Sequence, residues 1–156
     1  MSSVRWFPHV TVAAVAEREG RFLLVEETID GRRVINQPAG HLEPGESLLT
    51  AVRREALEET AWHFEPEGIV GVYRWEAPDG ETFLRVAFRG RLLGHDASRA
   101  LDPVIDAVRW LTRAELERAR AESRLRSPLV RQCIEDFSTG CDYPLTLLRD
   151  LSGAQT

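Results

Sequence analysis

Apolar and polar residues recur along this chain in two rhythms, and the switches between them mark its elements. From Pro8 to Ala16 the residues Val10, Val12 and Ala14 fall on one face of an extended segment and Thr11 on the other, as a strand requires. Glu17–Gly20 reads as a turn and RFLLVEET as a largely apolar strand, so the two segments are expected to form a hairpin. Asp30–Gly31 predicts a second turn, leading through Val34–Ile35 into a loop. The rhythm then changes. Leu48, Leu49, Val52 and Ala56 follow helical spacing and form one apolar stripe. Ser47 stands where its hydroxyl can accept from a free N–H of the first helical turn, and Pro44 and Gly45 hold the preceding residues as a loop.

Past Trp62, a polar break at Glu65–Gly68 precedes the strand IVGVYRWEA. Pro78–Asp79–Gly80 predicts a hairpin turn, with TFLRVAFRGRLL returning from it. Asp106–Thr112 reads as one more short strand. Thr112 and Glu115 then form a capping box for a helix over Arg113–Glu122. Ser127–Pro128 opens a further helix to about Ser138, with proline in its first turn. Helices interspersed with antiparallel and mixed strands predict an α/β sandwich, although periodicity alone does not order the strands. No repeat, low-complexity tract or interdomain linker interrupts the chain, so residues 1–156 are expected to form a single domain, with 151–156 a frayed tail.

The first helix carries the chemistry. Glu55, Glu58 and Glu59 stand at i, i+3 and i+4, which gathers their carboxylates on one side. Projected at about 100° per residue, Glu59 falls between Val52 and Ala56 inside the apolar sector, and Glu55 at its edge. Two carboxylates about 5 Å apart repel by roughly 3 kcal/mol at an effective dielectric of 20. The macrodipole disfavours negative charge in the last turn as well. A divalent cation reverses both effects, and three carboxylates suit a hard ion such as Mg²⁺ or Mn²⁺. Arg54 can pair with Glu58 four residues on, or orient a neighbouring carboxylate.

Composition narrows the field. The chain is 43% apolar and 29% charged, with a net charge of −5, which argues against nucleic-acid binding as its main task. All 20 basic residues are arginine, so a catalytic lysine is excluded; codon bias is the simplest account of that excess. No apolar run approaches the length of a membrane span, and the first ten residues lack the apolar core of a secretory signal. Cys133 and Cys141 form neither a CxxC nor a metal-ligand pattern, consistent with free thiols in a cytoplasmic protein.

From Gly40 to Trp62 the chain reads GHLEPGESLLTAVRREALEETAW. Gly40, Glu46, Arg54, Glu55, Glu58 and Glu59 match G-x5-E-x7-R-E-U-x-E-E-x-G-U, where U is apolar, and this resembles the signature box of the Nudix hydrolases. The one departure is Ala61 in place of the final glycine, which constrains the helix exit if it needs positive φ. PHVTVA, VEETIDG, NQPAGHLE, LRSPLV and YPL extend the likeness to one branch of small Mg²⁺-dependent phosphatases in that family. Where that branch carries an aromatic residue before NQPAGH, this chain has Ile35.

The resemblance implies a Nudix-type α/β/α sandwich with a curved mixed β-sheet, the box helix presenting its acids at a cleft. It implies hydrolysis of nucleoside tri- and diphosphates and of hydroxymethylpyrimidine diphosphate, a thiamine precursor, with release of orthophosphate. ADP-ribose or dinucleotide polyphosphates are the alternative substrates within the family. A silent nucleotide-binding module is expected to lack one or more box acids, and here all four glutamates are present. By the same resemblance Glu55, Glu58, Glu59 and the Gly40 carbonyl ligate metal, with Arg54 among the catalytic residues. The general base is Glu59 or an acid of the later loop, Asp102 or Asp106.

For a small-molecule nucleotide or pyrimidine diphosphate, Arg85 and Arg126 are candidate phosphate contacts, and Gln37 and Asn36 candidates to read a ring edge. Trp75 or Trp6 is a candidate stacking surface, and His9 and His41 are expected to be structural. A monomer or small homo-oligomer is expected.

Overall fold

The computed structural model describes residues 5–151, so all of the expected frayed tail except Leu151 lies outside the described residues. At its centre is β1 (His9–Val15), whose residues from Thr11 onward are buried on both faces. It is followed by β2 (Glu17–Arg18), β3 (Arg21–Ile29), β4 (Arg32–Asn36), β5 (Ala39–His41) and helix α1 (Leu48–Thr60). Then come β6 (Trp62–Glu76), β7 (Thr82–His95), β8 (Ile105–Leu111), α2 (Arg113–Ala121), α3 (Pro128–Ser138) and a 3₁₀ turn at Leu145–Leu147.

The strands form two sheets. One is mixed, in the order β5-β1-β7-β6, with β1 parallel to β7 and the other pairs antiparallel. In the other, β3 pairs antiparallel with β2, β4 and β8. Strand alternation divides the core between two faces. Val12, Ala14, Ala16 and Leu23 pack with Ala51, Val52 and Ala56 of α1. Ala13, Val15, Phe22 and Leu24 pack with Leu116 and Ala119 of α2 and with Val130, Cys133 and Ile134 of α3. Helices therefore cover both faces, as an α/β/α sandwich requires.

The hairpin expected between Pro8–Ala16 and RFLLVEET does not form: β1 pairs with β5 and β7 in one sheet, and the Glu19–Gly20 turn joins β3 to the short β2 in the other. Other local signals, which depend only on near neighbours, hold. Ser47 Oγ accepts from Thr50 N–H at 3.1 Å, and α2 begins with a complete Thr112–Glu115 capping box. Asp30 and Gly31 both take positive φ, the geometry of a two-residue hairpin turn. The break expected at Glu65–Gly68 is instead absorbed into β6, whose register against β7 shifts between Pro66 and Gly68. β6 is an edge strand, and edges and bulges tolerate proline because a missing N–H need not interrupt the ladder. Ala61 closes α1 at φ 59°, so the residue that replaces the box glycine does adopt the left-handed conformation. No helix among the described residues is long and apolar enough to cross a membrane.

Candidate functional site

The loop before α1 is tied to the helix by Arg54. Its Nε and Nη2 donate to both oxygens of Glu46, at 3.0 and 2.6 Å, and Nη2 also donates to the His41 carbonyl at 3.0 Å. Nη1 reaches Glu55 at 2.8 Å and Glu58 at 3.2 Å, so both expected pairings occur. This network holds the Glu46 carboxyl below its usual value through the Arg54 hydrogen bonds, and raises the Arg54 guanidinium. Gly40 lies so close to Glu55 that a Cβ there would displace the carboxylate.

Glu59 is 5% exposed and accepts a hydrogen bond from Ala39 N–H at 2.9 Å. Burial pushes its carboxyl up to about 9; the Ala39 bond opposes this, while the charges of Glu55, Glu27 and Asp102 add to it. Burial also raises Glu55, against the lowering effect of Arg54. Crowded, buried carboxylates that favour a proton are equally open to a metal cation in its place. Among the described residues no three His, Cys, Asp or Glu side chains stand in closed ligating geometry. Glu55 and Glu58 are held by Arg54, and binding would draw them from it. The oxygen donor set and the Gly40 cradle nevertheless fit a hard divalent ion.

Glu55 and Glu59 open onto a cavity of about 430 Å³. Its other walls include Gly40 and His41, the aromatic pair Trp75 and Phe83, and Glu27, Arg85 and Arg126. Trp75 stacks on Phe83 with centroids 5.5 Å apart, and Phe83 on His9 at 4.9 Å. Arg85 is buried, and among the described residues its Nη1 donates only to the neutral Gln37 amide oxygen, at 3.3 Å. Burial pulls its guanidinium down, although arginine remains charged.

The expected residues separate into those that share this cavity and those that do not. Arg85, Arg126, Asn36 and Trp75 line it. Gln37 does not: it is 1% exposed and donates to the Val130 carbonyl at 2.7 Å, standing behind Arg85 instead of reading a ring. Trp6 is 65% exposed and also lies outside the lining. Asp102 is tied to α1 through its N–H to the Glu58 carbonyl, and its charge reaches Glu59. Asp106 accepts from Thr28 Oγ1 at 2.6 Å; neither it nor Asp102 lines the cavity, and it is Asp102 whose charge acts on Glu59. His9 and His41 contact one another at 3.2 Å. Sequence reasoning missed Glu27, Thr11 and Ser127. An acidic pair inside an apolar strand was the available signal for Glu27; the other two carried none.

The profile of the NUDIX domain matches residues 6–133, and the chain belongs to the Nudix family of hydrolases. It is 43% identical over 145 residues to Phosphatase NudJ of Escherichia coli strain K12, an alignment covering 93% of each chain, and equally so to that of Shigella boydii. A NUDIX hydrolase from Nitrosomonas europaea superposes with a TM-score of 0.88 at 45% identity, covering 95% of this chain and 100% of that one.

Proposed function

We propose that this Nudix hydrolase cleaves phosphoanhydride bonds in nucleoside tri- and diphosphates and in hydroxymethylpyrimidine diphosphate, releasing orthophosphate. The likeness to Phosphatase NudJ supports that substrate class. The observation that carries the chemistry is one cavity holding both the buried acids Glu55 and Glu59 and the buried cation Arg85. Phosphoryl transfer needs positioning and positive charge more than a covalent nucleophile.

Glu55, Glu58, Glu59 and the Gly40 carbonyl would hold Mg²⁺ or Mn²⁺. When bound, such an ion lowers the pKa of water and offsets charge developing on phosphate oxygens. Arg54 fixes the loop and orients Glu55 and Glu58. Glu59 or Asp102 takes the proton of the attacking water. Arg85 and Arg126 hold phosphate oxygens, and the Trp75–Phe83 stack offers a face to the substrate ring. Phosphate release from a panel of di- and triphosphates with Mg²⁺, Mn²⁺ and EDTA tests the reading. Metal-dependent orthophosphate from these substrates is expected, and none from any of them would refute it.

A further inference from the structure

Four buried side-chain atoms have no hydrogen-bond partner among the described residues: Thr11 Oγ1, Asn36 Oδ1, Arg85 Nε and Ser127 Oγ. All four belong to residues lining the same cavity as Glu55 and Glu59, and all four residues are more than nine-tenths buried. They arrive from separate places in the fold: β1, the end of β4, β7 and the N-cap of α3. Buried polar groups are rarely left unpaired, so four at one cavity describe a site whose partner comes with the ligand.

The chemistry of that partner follows from the donors. Arg85 has no carboxylate within ion-pair distance among the described residues, and Gln37 holds its other end. Ser127 caps an 11-residue helix yet makes no capping bond, so its hydroxyl and the positive end of α3 are both left to an external acceptor. Arg126, next to Ser127 in the chain, lines the same cavity. Asn36 can present its amide N–H₂ by a simple flip, because oxygen and nitrogen exchange places. A guanidinium, two hydroxyls and a helix N-terminus together suit a compact tetrahedral anion.

We propose that these four residues form a subsite for an unsubstituted terminal phosphate. The inference rests on the proposed function for its hydrolytic context, and it assigns to Thr11, Asn36, Arg85 and Ser127 the recognition of the singly substituted terminal phosphate of those substrates. A terminal phosphate offers three free oxygens to these donors. An internal phosphate, flanked on both sides as in ADP-ribose or a dinucleotide polyphosphate, offers two and must carry its second substituent through the buried wall.

The test has two arms. Calorimetry on the metal-free full chain measures orthophosphate binding in wild type, Ser127→Ala and Thr11→Val; neither substitution removes an existing hydrogen bond, and thermal melts check that both variants fold. Each variant is expected to weaken binding about tenfold, equivalent to about 1.4 kcal/mol. Steady-state kinetics with Mg²⁺ then compare ADP with ADP-ribose, with kcat/KM for ADP expected to be higher by about 100-fold or more. Comparable kcat/KM for the two, or orthophosphate binding that is absent or untouched in both variants, would overturn the subsite. Orthophosphate binding that both variants weaken, without hydrolysis of any di- or triphosphate, would support the subsite and sink the proposed function instead.

Discussion

Two glutamates stand side by side on β3 and meet opposite surroundings. Glu26 is 4% exposed and lies between Arg109 and Arg124, at 3.1 and 3.0 Å. Glu27 lines the cavity, with Arg126 at 3.9 Å and the further negative charge of Glu59 within range. One acid is compensated by its own chain. The other has one cation, at the limit of ion-pair distance, and shares its cavity with buried acids and with orphaned polar atoms of Thr11, Asn36, Arg85 and Ser127. Paired buried charge maintains architecture, whereas buried charge left open marks a place where a ligand completes the structure.

The sharpest way to break that contrast is to neutralise one acid from each region. Glu59→Gln is expected to lower kcat by about 10³-fold or more with the fold intact. Glu26→Gln is expected to leave kcat within about threefold yet destabilise the protein by about 1–3 kcal/mol, since its arginine partners are partly screened by solvent. Initial rates and denaturant unfolding measure both, and near-wild-type turnover in Glu59→Gln would discard its assignment.

Arg85→Met probes the cation that shares the cavity. Loss of charge-assisted contacts to substrate should reduce kcat/KM by about 10–100-fold. Because the guanidinium is buried without a carboxylate, its removal should leave Tm unchanged or higher. A large fall in Tm would make Arg85 structural.

Glu46→Gln tests the Arg54 tether. Hydrogen bonds from Arg54 hold the Glu46 carboxyl below its usual 4.5, so its stabilisation is fully present above that value and is lost as pH falls through the lowered one. The variant should be about 1–2 kcal/mol less stable at neutral pH, and the gap should narrow as pH falls below 4.5 and through the lowered folded-state value. A pH-independent gap would contradict the ion pair as its origin.

The smallest effect belongs to Ala61→Gly. Relief of the left-handed conformation should add about 0.5–1 kcal/mol, partly offset by a more flexible unfolded chain, with turnover unchanged.

What could be read from the chain follows interaction range. The Ser47 cap, the Thr112–Glu115 box, the Asp30–Gly31 turn and the intrusion of Glu59 into the apolar stripe all involve residues within about two helical turns of one another. Gln37 was misplaced because its partners, Val130 and Arg85, lie far along the chain. Glu65–Gly68 reads as a polar break from local composition, and only its place at a sheet edge shows that a bulge carries it within one strand.

By itself the sequence determined the helix that bears the acids, its cap, its spacing and its membership of a hydrolase family, since these are written in short-range periodicity and a local motif. Only the tertiary structure decided that Thr11, Asn36, Arg85 and Ser127 would share one cavity with unsatisfied polar atoms. Whether a polar group is satisfied depends on its neighbours in space, and here those neighbours are assembled by parallel pairing of β1 with β7 and by the packing of α3 across the sheet.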